Sequence, residues 1–192
     1  MMQTNFSIRA YSLMLAALEF APKDHTKYYL NAVHIAPYAD GAHVVATDGC
    51  ALFIGRATVT AADPVSKGGV QLPFVPLTIE RNSLAAALKA VKKAVKTADT
   101  VRIELDDNDV CKTGRLVVFN CGEDPTEKSA ITAPLEFFND PASAPYPNYL
   151  RAIPRYIQPG NPAPLIDCKY LTAVCKAAAA LRPAKGRCKG RG

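Results

Sequence analysis

Residues 27–55 read KYYLNAVHIAPYADGAHVVATDGCALFIG. The aromatic and β-branched runs in this stretch predict strands over 28–36, 42–47 and 50–58, because such side chains fit a pleated, half-buried surface. Asp40-Gly41 and Asp48-Gly49 separate the runs. Asp-Gly supplies the positive backbone dihedrals of a tight hairpin turn. Two such turns eight residues apart predict an antiparallel meander. Just upstream, residues 8–21 (IRAYSLMLAALEFA) place Tyr11, Met14, Leu15 and Leu18 at i, i+3, i+4 and i+7. That spacing predicts a helix, which Pro22 ends.

The same order then recurs. Residues 71–80 are extended, and Pro73 and Pro76 deny them a full hydrogen-bond ladder. Residues 83–98 (SLAAALKAVKKAVKTA) predict a helix capped by Asn82 or Ser83. Strands are predicted over 100–105, 114–120 and 128–134. The two copies share a stem, SLMLAALEFA at 12–21 and SLAAALKAVKKA at 83–94. A third copy begins at 164–181 (PLIDCKYLTAVCKAAAAL) as an extended piece and a helix, then gives way to a basic tail. Residues 139–164 hold seven of the fifteen prolines, which marks a linker or an extended crossing. The expected organisation is one domain over 1–155, in units of about 1–66 and 67–155, an incomplete third unit over 156–181 and a tail over 182–192.

Composition bounds the function. Of 192 residues, 49% are apolar and 21% charged, which suits a packed core and excludes wholesale disorder. No apolar run approaches the roughly 18 residues of a membrane span, and the start shows no secretory signal, so a cytoplasmic protein with no membrane partner is expected. The six cysteines form no C-x-x-C pair and match no zinc spacing, so reduced thiols, mostly buried or incidental, are expected and no metal site. The net charge of +6 is concentrated at the end: Arg182, Lys185, Arg187, Lys189 and Arg191 follow one another without an acid, and the rest is nearly neutral. The second predicted helix sets Leu84, Leu88, Val91 and Val95 on one face and Lys89, Lys92, Lys93 and Lys96 on the other. Four cations over roughly 10 Å of axis match the phosphate track of a duplex without reading its sequence, though such stripes are also common on solvated helices.

Three segments carry a resemblance. KYYLNAVHIA at 27–36 with VATDGCALFIG at 45–55, followed by PNYLRAIP at 147–154, resembles the middle domain of the bacterial sliding clamp, the β subunit of DNA polymerase III. That family shows a YYLNG-like strand, then VATDGHRLA, then PDYRRVLP, in the same order and at similar separations. The resemblance implies an α+β fold of two β-α-β-β-β units related by pseudo-symmetry, with antiparallel sheets and both helices on one face. It implies no catalysis and no cofactor, but a ring around duplex DNA that tethers polymerases and other proteins through short peptides. Matched residue by residue, the peptide site comprises Leu30, Thr47, Gly49, Cys50, Ala51, Leu52, Pro147, Arg151 and Ala152. The family's His-Arg after T-D-G is Cys50-Ala51 here, which predicts weak peptide affinity. The DNA-facing set implied is Lys27, Tyr28, Tyr29, Lys89, Lys92, Lys93 and Lys96. The chain looks like a shortened relative of phage or mobile-element type, or a truncated product, and any ring would need several copies joined through edge strands.

Other signals carry less. Asp106, Asp107 and Asp109 lack the glycine and glutamate of a calcium loop, so a solvated turn is expected. His34, His43, Asp48 and Cys50 contain the residue types of a cysteine nucleophile, but the meander already accounts for their proximity. No Walker loop, G-x-G-x-x-G or H-E-x-x-H occurs. The two functions left are a clamp-like processivity factor on duplex DNA and a non-ring adaptor or decoy that binds clamp-interacting peptides.

Overall fold

The computed structural model describes residues 2–23, 26, 28–38, 41–60, 76–105, 113–120, 130–137, 146–153 and 167–182. Its elements are β1 (Met2–Ser7), α1 (Arg9–Leu18), β2 (Ala32–Tyr38), β3 (Gly41–Thr47), β4 (Leu52–Thr60), β5 (Leu77–Glu80), α2 (Arg81–Val91), β6 (Thr100–Leu105), β7 (Thr113–Phe119), β8 (Ile131–Glu136) and α3 (Cys168–Leu181). The class is α+β, as expected, and the β-α-β-β-β order occurs twice.

All strand pairings are antiparallel, in the order β5-β2-β3-β4-β1-β6-β7-β8. The leading strand of each copy is exchanged. β1 pairs along its length with β6 of the second copy, from Met2 opposite Leu105 to Ser7 opposite Thr100. It meets its own β4 only at Asn5–Thr60 and Phe6–Val59. β5 likewise pairs with β2 of the first copy, and Ile79 bridges Phe137 just past its own β8. Two four-stranded sheets, β5-β2-β3-β4 and β1-β6-β7-β8, are thus stitched together at both margins, with a pseudo-two-fold relating the copies.

Both helices pack on the same side of this layer. Strand alternation turns Val33, Ile35, Val44 and Ala46 toward them from one sheet, and Phe6, Val101, Ile103 and Leu116 from the other, into one apolar cluster with Met14, Leu84 and Leu88. The helices are antiparallel neighbours. The Tyr11 hydroxyl of α1 donates to the Leu88 carbonyl of α2 at 3.1 Å, and at the other end Arg81 Nε donates to the Ala21 carbonyl at 2.9 Å. α3 completes the helical layer on the far side of α1. Ala177 is buried there, and Lys176 pairs with Glu19 at 3.5 Å.

Several expectations shift. Tyr28–Leu30 is a 3₁₀ turn and not the start of a strand. The turn brings Leu30 into the core and leaves the Asn31 carbonyl to accept the Arg81 N–H at 3.0 Å. The second helix stops at Val91 and tightens into a 3₁₀ turn over Ala94–Lys96. Lys89, Lys92, Lys93 and Lys96 sit at i, i+3, i+4 and i+7, and like charges at that spacing weaken a helix. Its cap is Glu80, whose carboxylate accepts the Ser83 N–H at 2.6 Å, and neither Asn82 nor Ser83. Cys50, Cys168 and Cys175 are free and exposed, so of the two alternatives, buried or incidental, these three are not the buried kind. The Asp106–Asp109 turn, Cys111, Cys121, Cys188 and most of the Pro-rich stretch lie outside the described residues. Among the described residues no helix is long and apolar enough to cross a membrane.

Candidate functional site

The link between β3 and β4 is the four-residue loop Asp48–Ala51, wider than a two-residue Asp-Gly turn, because Thr47 pairs with Leu52. Its conformation is held locally. Asp48 Oδ1 accepts the N–H groups of Cys50 (2.9 Å) and Ala51 (2.8 Å), and Thr47 Oγ1 accepts from Gly49 N (3.0 Å) while donating to the Ala51 carbonyl (2.7 Å). Gly49 sits at φ +91°, where a side chain would be strained. The loop therefore keeps Gly49 and Cys50 exposed at a fixed position beside the half-buried Thr47, Ala51 and Leu52.

A contact from far along the chain completes this loop. The Tyr170 hydroxyl, in the first turn of α3, donates to Asp48 Oδ2 at 3.0 Å. Burial works against the Asp48 charge, but the Ala51 and Cys50 N–H groups, the Tyr170 hydroxyl and the nearby Lys169 ammonium hold its carboxyl below the usual range. Nothing in the local sequence signals this contact, which spans 122 positions.

The second half of the site is the strap over residues 146–153, whose 3₁₀ turn Tyr149–Ala152 crosses the face of β2 and β3 away from the helices. Alternation places His34 and Tyr38 of β2 and His43 of β3 on that face. Tyr146 stacks on His34 with centroids 4.5 Å apart, and the Tyr149 hydroxyl lies 3.1 Å from His43 Nδ1. Tyr38 closes over His43 at 3.9 Å. His34 Nδ1 is also engaged, 2.9 Å from Thr78 Oγ1. Desolvation lowers the pKa of His34 to about 4. His43 is lowered too, by burial and then by the Arg56 charge. Burial pushes the Tyr146 phenol up, and its hydroxyl has no full hydrogen bond among the described residues.

The histidines are thus parts of an aromatic clasp, and both Nδ1 atoms are occupied by partners other than Cys50. The clasp fixes Pro147 half-buried and leaves Arg151 and Ala152 exposed. Of the expected peptide-site residues, Thr47, Gly49, Cys50, Ala51 and Leu52 share one loop, Pro147, Arg151 and Ala152 share the strap, and Leu30 is buried in the turn leading into β2. The expected DNA set divides. Lys89, Lys92, Lys93 and Lys96 are all exposed at the end of α2, and Lys169 and Lys176 of α3 add two exposed cations to the helical layer. Tyr29 is half-buried in a 3₁₀ turn, so strand alternation does not separate it from Tyr28, and Lys27 lies outside the described residues. Among the described residues no group of His, Cys, Asp and Glu could hold a metal ion.

Solved structures share this fold. The β sliding clamp of C. crescentus superimposes with a TM-score of 0.52 at 16% identity, over 81% of this chain and 35% of that one. A second structure, the pol III β of Caulobacter crescentus, gives 0.52 at 20% identity over 81% and 36%. The fold is that of a bacterial sliding clamp. The chain spans about a third of the length of the clamps it matches. No protein-family model matches the sequence, and no curated protein does.

Proposed function

We propose that this chain is a clamp-like tether that binds rather than catalyses, holding the short peptide of a replication or repair protein while its helical layer rests on duplex DNA. The support is spatial. The clamp fold sets an exposed lysine strip on the helical layer and places the loop 47–52 and the strap 147–152 on the sheets that back it. In that site the exposed Arg151 anchors the carboxylate or carbonyl end of the peptide, and Leu52 and Pro147 hold its apolar side chains, with Leu30 buried beneath. Tyr170 adds a wall from α3. Cys50 and Ala51 supply neither the imidazole nor the guanidinium of the sliding-clamp motif, so affinity is modest.

A second reading is the adaptor or decoy, which keeps the peptide site without a ring. One observation favours it. α3 lies along β4, with Tyr170 at the loop before the strand and Leu181 near its end. A neighbouring copy that paired with β4 would bring its own helix to that place.

The peptide half is tested by titrating an acetylated clamp-binding pentapeptide into ¹⁵N-labelled chain. Amide shifts should cluster at Thr47–Leu52, Pro147–Ala152 and Tyr170, and Arg151→Ala should weaken binding about tenfold, near the 1.4 kcal/mol of a charge-assisted contact. Shifts confined to other surfaces would refute the assignment.

A further inference from the structure

One carboxylate serves two parts of the molecule. Asp48 Oδ1 accepts the N–H groups of Cys50 and Ala51 and so shapes the β3–β4 loop, while Oδ2 accepts the Tyr170 hydroxyl of α3 at 3.0 Å. On the helix side this joint stands on a formed first turn. Asp167 Oδ1 accepts the Lys169 N–H at 2.9 Å, and the Asp167 carbonyl accepts the Tyr170 N–H at 2.9 Å. The Lys169 ammonium lies 4.6 Å from the centre of the Tyr170 ring. The shape of the loop and the seating of α3 therefore share one side chain.

The rest of α3 is held lightly. Ala177 is its one buried residue. Leu171, Val174 and Leu181 stay 50%, 52% and 38% exposed. Lys176 and Glu19 meet at 3.5 Å, but at exposed positions, where an ion pair contributes little. A helix of 14 residues is marginal by itself in water, so the order of α3 depends on these few contacts. An element with little buried apolar surface opens before the fold as a whole does. Such an element responds to a ligand that binds its docked and undocked states unequally.

Docked α3 borders the loop and the strap without closing them. With Tyr170 in place, Gly49, Cys50, Arg151 and Ala152 are exposed, and Ala51, Leu52 and Pro147 are half-buried. We infer, on the reading that loop and strap hold a peptide, that peptide binding and the docking of α3 promote one another through the Asp48–Tyr170 contact. A peptide laid across 47–52 and 147–152 gains the Tyr170 ring as a wall without displacing the helix. When α3 undocks, that wall is gone and Asp48 Oδ2 loses its hydroxyl donor. Release of α3 thus weakens the peptide, and a bound peptide pins α3. The two effects are one coupling free energy, so they are equal in size.

The test uses the full ¹⁵N-labelled chain and the acetylated clamp-binding pentapeptide. Saturating peptide should slow hydrogen exchange of amides 174–181, about one to three turns beyond Tyr170, by about fivefold or more. Ala177→Glu, placed about 10 Å along α3 from Tyr170, should speed exchange across 168–181 while β6 stays protected. Once α3 is fully released in that variant, the peptide should bind more weakly by the same factor. Tyr170→Phe keeps the ring and removes the donor. It should speed α3 exchange without peptide and weaken binding in the parent chain, yet cost nothing further in the Ala177→Glu background. Peptide shifts at 47–52 and 147–152 with α3 exchange unchanged, or equal affinity in the parent and a fully released Ala177→Glu, overturn the coupling and leave the tether reading standing. Tighter binding by Ala177→Glu overturns its sign and makes α3 a cover. Unchanged α3 exchange in Tyr170→Phe also overturns it, since the joint would then not seat the helix. A peptide that shifts nothing at the loop and strap defeats the tether reading, and the coupling with it.

Discussion

Of the two histidines whose protonation burial opposes, His34 carries the larger shift. It is folded as a neutral ring between Tyr146 and Thr78, with a pKa of about 4 against an ordinary 6.5. Between those values the unfolded chain binds a proton that the folded chain does not. Stability therefore falls as pH drops from about 6.5 toward 4, by at most roughly 3 kcal/mol, and this contribution levels off below. Asp48 works in a lower window. Its carboxyl is held below the ordinary value, so its stabilisation is present above that value and is lost as pH falls through the folded one. Urea midpoints measured from about pH 7.5 down to 4.5 should decline in the parent chain and decline less steeply in His34→Gln, where His43 still contributes, whereas Asp48→Asn should keep the full decline. An unchanged pH slope in His34→Gln would remove His34 from this account. At this scale the position of the β3–β4 loop was legible from the sequence, though not its four-residue width, because Thr47-Asp48-Gly49 builds its hydrogen bonds within four residues. The clasp was not, since Tyr149 reaches His43 across 106 positions and strand alternation says only which face His43 leaves by.

Between elements, the joint of α1 and α2 depends on Arg81. It opens α2 and donates to the Ala21 and Leu18 carbonyls, the ones that the end of α1 leaves without helical partners. Arg81→Met should cost about 1–3 kcal/mol by urea denaturation, and Arg81→Lys should restore little, because an ammonium cannot span both carbonyls from a fixed plane. α3 is attached more lightly, through one buried alanine, one tyrosine and an exposed ion pair. A helix of its length is marginal alone. Ala177→Glu should therefore speed hydrogen exchange across 168–181 while β6 keeps its protection; protected α3 amides in that variant would show an attachment stronger than these contacts. Helix and strand periods announced both meanders and the apolar face of α2. They could not announce the exchange of β1 and β5, because a strand's alternation is satisfied equally by either sheet and the choice is made by long-range packing. The end of α2 was misplaced for a related reason. The apolar period continues through Val95, while the lysine repulsion that ends the helix lies on the other face.

For the molecule as a whole, the lysine strip decides whether the clamp fold is used as a clamp. Lys89, Lys92, Lys93 and Lys96 are exposed, and α1 separates them from Lys169 and Lys176 of α3, so the helical layer presents cations across its breadth. Such a surface meets phosphates without reading bases. Binding to duplex should then fall with salt at a log–log slope of about −0.9 per phosphate contact, and replacing Lys89, Lys92, Lys93 and Lys96 by glutamine should flatten it by roughly 3 to 4. Affinity for a short linear duplex should lie in the nonspecific range, roughly 10⁻⁴–10⁻⁶ M, because one copy covers too little arc to encircle DNA. A circular duplex separates the two functional readings. A ring of several copies loaded on it would remain trapped at high salt, and linearising the DNA would release it. An adaptor would wash off both forms alike. The placement of Tyr170 at the loop before β4 and of Leu181 beside its end favours the second result for the full chain. Should the glutamine variant keep its full salt slope while deletion of residues 182–192 abolishes binding, the strip is a solvated face and the phosphate contacts belong to the tail.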